Sequence, residues 1–177
     1  MLIIYTGDET VRQHGETLFA SAKLLREVYL VLDAPRGYAL RTLADLPRPV
    51  LVVTGVSTSP YLQDLLDLRP EGLLARPTSP QEVLTGLERI STGERFYEGP
   101  FLENRLQPCE RAVLRHLAFG LENSEIAHIL SVSPRTVDNR ITALKEKLKI
   151  RNRVELALFY LGIHSRLQDC EKLTLQT

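Results

Sequence analysis

The chain has no tryptophan, one methionine and two cysteines in 177 residues. Cys109 and Cys170 make neither a disulfide framework nor a paired-cysteine metal or redox motif, so a reducing, cytoplasmic setting is expected. The histidines (His14, His116, His128, His164) are scattered, without the spacing that places two ligands on one helix face. No Ser/His/Asp or Cys/His pairing can be read, so no catalytic residue, metal centre or cofactor is expected. No apolar run approaches the roughly 18–20 residues that span a bilayer, and MLIIYTGDE lacks the basic start of a secretion signal. No membrane partner is expected.

Net charge is also missing: 22 Lys and Arg balance 22 Asp and Glu. The balance hides two unlike halves. Residues 1–100 carry 13 acids and 10 bases, whereas residues 101–177 carry 9 acids and 12 bases. Between 135 and 153, seven bases face only Asp138 and Glu146, a local net of +5. A neutral total therefore does not exclude a polyanionic partner.

The first half alternates short apolar runs with amphipathic stretches. Leu2–Tyr5, Val28–Leu32, Val50–Thr54 and Leu73–Ala75 read as buried strands. Helical spacing follows around residues 11–22, 38–46, 61–68 and 81–91. Thr6-Gly7-Asp8 forms a turn that can cap a helix. Continuous apolar strands between helices imply a parallel sheet covered on both faces, with functional groups at the strands' carboxyl ends. Those ends carry Thr6 and Asp8, Asp33, Thr54 and Arg76.

VYLVLD ending at Asp33, VLVVTG at Thr54-Gly55 and LLARP at Arg76-Pro77 resemble the strand ends of a response-regulator receiver domain. The resemblance implies a flavodoxin-like α/β fold in which Asp33 is the phosphoacceptor, Thr54 contacts the phosphoryl group and Arg76 stands in the lysine position. Three departures are visible. The acid pair that holds Mg²⁺ in this family is replaced by Thr6-Gly7, a loss to a step that depends on that charge. Arginine replaces the compact lysine ammonium. Only one helix fits between the first strand and the Asp33 strand, so the domain is expected to be one βα unit short. Asp33 can equally end a strand and cap the Tyr38 helix.

After a Gly-rich, charged and aromatic stretch, read as a linker over 93–103, the pattern becomes helical. Pro108 suits a first helical position, and Val113, Leu114, Leu117 and Ala118 form an apolar face before Gly120. Asn123 is the expected N-cap of a second helix. Ser133 and Pro134 open a third. On a wheel of about 100° per residue, Val137, Ile141, Leu144 and Leu148 share one side, while Arg135, Asp138, Asn139 and Thr142 lie nearly opposite. Two helices joined by a tight turn, the second basic, make a helix-turn-helix pattern.

From Leu106-Gln107-Pro108-Cys109-Glu110-Arg111, through Gly120–Ala127 and Ser133–Asn139, to Arg151–Ala157, the chain closely resembles a LuxR/FixJ-type (NarL-like) DNA-binding domain. The resemblance implies a four-helix domain over 104–164, following the shortened receiver-like domain at 1–92 and preceding a tail at 165–177. Arg135, Asp138, Asn139 and Thr142 are the expected base readers in double-stranded DNA. Arg140, Lys145, Lys147, Arg151 and Arg153 are the expected phosphate contacts. Asp138 stands where the family often has lysine. The last helix, 153–161, is apolar nearly all round, and Leu158, Phe159 and Leu161 are the expected homodimer contacts on DNA.

These features together describe a transcription regulator whose N-terminal domain meets a protein or small-molecule signal without the usual Mg²⁺-dependent phosphorylation. A conventional switch phosphorylated on Asp33 and an interaction module that binds no DNA are the alternatives.

Overall fold

The computed structural model describes residues 1–103 and 105–163. The tail expected at 165–177, which includes Cys170, lies outside them, as does His164. Internal contacts divide the chain into two compact units between Leu102 and Glu103.

The first unit runs β1 (Leu2–Tyr5), α1 (Glu9–Leu18), β2 (Val28–Leu32), α2 (Tyr38–Thr42), a 3-10 turn (Leu43–Asp45), β3 (Val50–Thr54), α3 (Ser59–Asp67), β4 (Gly72–Ala75), α4 (Pro80–Ser91) and β5 (Phe96–Glu98). All four strand pairings are parallel, in the order β1-β2-β3-β4-β5. A full flavodoxin-like sheet places a further strand outside β1, giving the order 2-1-3-4-5. Among the described residues that strand and its helix are absent, so β1 forms an edge.

Registration places Leu2, Ile4, Leu30, Leu51, Val53, Gly72, Leu74 and Phe96 on one face. There they pack with Phe19 after α1 and with Val83, Leu87 and Ile90 of α4. Each fully buried leucine, isoleucine or valine among them contributes about 1.5–3 kcal/mol by leaving water. The opposite face meets α2 and α3, whose Ala39, Tyr61, Leu62 and Leu65 are fully buried. Connections over opposite faces of a sheet whose order never reverses have opposite hand. Two of the four crossovers therefore depart from the right-handed rule.

The linker expected over 93–103 is corrected at its centre, where Phe96–Glu98 is a fifth strand beside β4. The cause is local. The positions facing the Phe96 ring are glycines, Gly72 and Gly86, and the Arg89 guanidinium lies 3.8 Å above its centroid. Arg89 also pairs with Glu94 at 2.8 Å and with Glu98. A Cβ on Gly72 would lie 2.7 Å from Leu51 Cδ1 and 3.0 Å from both Ile90 and Phe96. Gly72→Ala is therefore expected to cost about 1–3 kcal/mol by overpacking, read as a lowered midpoint in urea unfolding.

The second unit holds α5 (Pro108–Ala118), α6 (Asn123–Ile129), α7 (Pro134–Leu148) and α8 (Arg153–Tyr160). Val113, Leu114, Leu117, Ile126, Val137, Ile141, Leu144, Leu156 and Tyr160 form its buried interior. Gln107 caps α5, its N–H donating to Glu110 Oε2 at 2.7 Å. Gly120, at φ +86°, takes the left-handed position after the helix. No helix among the described residues is long and apolar enough to cross a membrane.

Candidate nucleic-acid interface

The third helix of the second unit is built as its wheel requires. Ser133 Oγ accepts the Thr136 N–H at 3.1 Å, and Pro134 fills the first turn, where no N–H is needed. Val137, Ile141 and Leu144 are buried and Leu148 is half-buried, so the helix is held along one side. Arg135, Asp138, Asn139 and Thr142 are all exposed on the other.

The structure separates these four. Asp138 is engaged: its Oδ1 accepts from Asn123 Nδ2, and Asn123 Oδ1 in turn accepts from the Arg153 guanidinium, which also donates to the Leu121 carbonyl. An amide thus spans a carboxylate and a guanidinium, tying the starts of α6 and α8 to α7. Thr142 Oγ1 donates back to the Asp138 carbonyl at 3.0 Å. Arg135 and Asn139 are left presenting side chains outward from the first turns of α7.

Asn123 is not the N-cap expected of it. Glu122 holds that position, its N–H donating to Glu125 Oε2 at 2.7 Å. A carboxylate three residues on closes the cap, which frees the asparagine amide to bridge.

The expected phosphate contacts also divide. Arg153 is half-buried in the bridge just described. Lys147 Nζ donates to both carboxylate oxygens of Glu110, at 2.9 and 3.0 Å. Arg151 pairs with Glu155 at 3.1 Å, although its side chain stays exposed. Arg140 and Lys145 are half-buried on α7. Partial burial pushes the Glu110 carboxyl up, but Lys147 and the Gln107 N–H more than offset this and hold it below the ordinary carboxylate range. The lowered value means that its contribution is present above the unfolded pKa of about 4.3 and is lost as pH falls through the folded one. Glu110→Gln is therefore expected to lower stability near neutral pH and to flatten the acid limb of a thermal pH profile.

On α8, Leu158 and Phe159 are half-buried, as is Leu161 just after the helix, whereas Leu156 and Tyr160 are fully buried. Val154, not singled out from the sequence, is the most exposed apolar residue of this helix at 66%.

The strand-end set of the first unit has different geometry. Asp33 is 7% exposed and fully coordinated by donors. Its Oδ1 accepts the Gly37 and Ala39 N–H groups, each at 3.0 Å. Its Oδ2 accepts Thr54 Oγ1 at 2.7 Å and the Tyr61 hydroxyl at 2.6 Å. Burial, then the Asp33 charge, push the Tyr61 hydroxyl far above its ordinary value, so it remains a donor. Tyr61 was not anticipated from the sequence, since a tyrosine in an apolar helix face gives no signal of its buried partner. Arg76 is exposed and takes a left-handed backbone conformation at φ +60°.

The crevice between β1 and β2, where connections leave toward opposite faces, is closed. Gly7 N–H donates to the Ala34 carbonyl at 2.8 Å, and a Cβ on Gly7 would lie 2.9 Å from the Pro35 ring. Asp8 is spent on capping α1 through Thr10 and Val11. Mg²⁺ needs several hard oxygens in octahedral array. These residues do not fit it: Asp33 is saturated, and no group of three His, Cys, Asp or Glu able to hold a metal occurs among the described residues.

Comparison with known proteins agrees with both units. The family model described as bacterial regulatory proteins, luxR family, matches residues 104–160. The transcriptional regulatory protein UhpA of Salmonella typhimurium is 32% identical over 135 residues, 71% of this chain and 69% of UhpA. DesR of Bacillus subtilis is 28% identical over 123 residues, 66% of this chain and 62% of DesR. In fold, the chain is similar to RcsB from Salmonella enterica serovar Typhimurium bound to the promoter rprA in the presence of the phosphomimetic BeF3−. The TM-score is 0.59 at 22% identity, over 90% of this chain and 97% of that one.

Proposed function

The chain belongs to the luxR family of bacterial regulatory proteins, and on that premise we propose that it is a sequence-specific DNA-binding transcription regulator. It acts in the cytoplasm as a homodimer on DNA, with α8 contributing Leu158, Phe159 and Leu161. The observation that carries this reading is α7, a helix held by a buried apolar spine and turning Arg135 and Asn139 outward. Arginine pairs bidentately with guanine, and asparagine with adenine, in a major groove that admits one helix. Arg140, Lys145 and Arg151 supply the phosphate contacts that set affinity and register. Asp138 and Arg153 act through Asn123 to hold the helix in place.

The N-terminal unit serves as a docking or ligand-sensing module that does not use Mg²⁺-dependent aspartyl phosphorylation. The saturation of Asp33 by four donors supports this: attack on a phosphoryl donor requires a free oxygen lone pair, and both oxygens are engaged in a buried site. Incubation with Mg²⁺ and acetyl phosphate is expected to leave the intact mass unchanged. A stoichiometric adduct of about 80 Da that Asp33→Asn abolishes contradicts it.

Fluorescence anisotropy against genomic duplexes at two salt concentrations tests the DNA reading. Binding that weakens steeply with salt is expected; no binding at either concentration assigns the chain to protein interaction instead. Asp138→Lys, which adds positive charge on the exposed face but breaks the bridge to Asn123, is expected to tighten binding to random duplex at low salt while lowering the preference for a selected site.

A further inference from the structure

The edge of the sheet at β1 is built for pairing. Val28 N–H donates to the Met1 carbonyl at 3.0 Å, and Gly7 N–H to the Ala34 carbonyl at 2.8 Å. In a parallel ladder this parity turns the N–H and C=O groups of odd-numbered β1 residues toward β2. The same groups of Leu2 and Ile4 point away from the sheet.

The two edges of the sheet are treated differently. At β5 the strand is three residues long, runs into Gly99-Pro100 and carries Glu98 in an ion pair with Arg89. These are the usual protections against unwanted pairing. β1 is LIIY, four apolar residues with neither charge nor proline. Beside it lies an open groove of about 510 Å³, walled by Leu2, Ile4, Phe19, Ala22 and Leu24 with Arg12 and Glu16 on its rim. Three of the six exposed large apolar residues among the described residues, Met1, Leu18 and Leu25, belong to the groove or directly adjoin its lining.

We propose that β1 pairs antiparallel with β1 of a second copy, joining two sheets across a two-fold axis and making the N-terminal unit a dimerisation module in the absence of DNA. The strand is self-complementary. Centred on Ile3, an antiparallel pairing sets Leu2 opposite the second copy's Ile4, and each such pair exchanges two main-chain hydrogen bonds. Such an axis stands perpendicular to the joined sheet, so both α1 helices lie on the same side and run antiparallel. Arg12 pairs with Glu9 and, at 2.7 Å, with Glu16 of its own α1, so the two helices bring closed ion pairs and not lone charges to the seam. The contact uses the same surface on both copies and closes at two. The dimer reading given above supplies the two-fold, but not the surface; α7 and α8 take no part.

The test is sedimentation equilibrium of the full chain without DNA, with amide hydrogen exchange. The wild-type chain is expected to be a dimer at micromolar concentration, and the amides of Leu2 and Ile4 to gain protection as concentration rises. Ile4→Pro removes an outward N–H while leaving β1 bonded to β2, since proline is tolerated where the N–H faces solvent; Ile4→Ala, which trims the same core-packed side chain but keeps the N–H, is the control for lost packing and is expected to stay dimeric. Ile4→Pro is expected to raise the dimer dissociation constant roughly tenfold or more with the circular dichroism spectrum retained. Should Ile4→Pro unfold the chain, the exchange result on the wild type decides alone. A wild-type monomer at all concentrations overturns the proposal, as does a dimer whose Leu2 and Ile4 amides exchange freely. A monomer with those amides protected assigns the edge to a different strand and overturns it as well. DNA affinity for a single half-site is measured in parallel on the same variant, so a failure of the DNA reading shows there and not in the sedimentation result.

Discussion

Asp33→Ala is expected to destabilise the N-terminal unit by about 3–5 kcal/mol, because it removes a buried carboxylate that accepts from four donors at once. The Gly37 and Ala39 N–H groups, the Thr54 hydroxyl and the Tyr61 hydroxyl all end on this one carboxylate. Asp33→Asn preserves shape and one acceptor oxygen, and it is expected to cost less, about 1–2 kcal/mol. Its amide must donate to two hydroxyls that already accept from Gly37 and Val56. Urea unfolding of the full chain, followed by a probe in the first unit, gives the order wild type, Asn, Ala. Equal stability of all three excludes a structural role for the carboxylate.

The second large effect concerns the outward face of α7. Arg135→Ala and Asn139→Ala are each expected to lose about 1–3 kcal/mol on a selected site, and base preference at the contacted positions is expected to relax. Combined, they are expected to bring affinity for that site close to affinity for random duplex. Arg140→Ala and Lys145→Ala serve as the contrast. They are expected to weaken all sequences alike and each to reduce the salt slope by roughly one. Competition binding across a salt series separates the two classes. A uniform loss in all four variants removes Arg135 and Asn139 as readers.

Much of this was legible in the sequence, because strongly periodic segments carry their own address. The first three strands and the apolar spine of α7 match their expected residues, since an all-apolar strand and a 3.6-residue spacing leave little freedom. The fourth strand starts one residue early, at Gly72, and α1 begins at Glu9, directly after its Asp8 cap. The rest depends on partners distant in the chain. Phe96–Glu98 is a strand because Gly72 and Gly86 leave room for an aromatic ring, and neither glycine marks itself in a local window. Asp138 reads as a base contact on a wheel, but Asn123 reaches it across the turn. Lys147 reads as a phosphate contact, yet Glu110, on another helix, binds it. Asp33 carries the same residue type in a phosphoacceptor and in a structural hub, and only the positions of Thr54 and Tyr61 tell them apart.

The most direct measurement of the central claim is selection of genomic DNA fragments by the purified 177-residue chain, followed by sequencing. The account predicts enrichment of a short, roughly palindromic site whose half-sites are contacted by Arg135 and Asn139, and loss of that enrichment in the doubly substituted variant. Enrichment of no sequence, or a selected site unchanged when both residues are alanine, contradicts it.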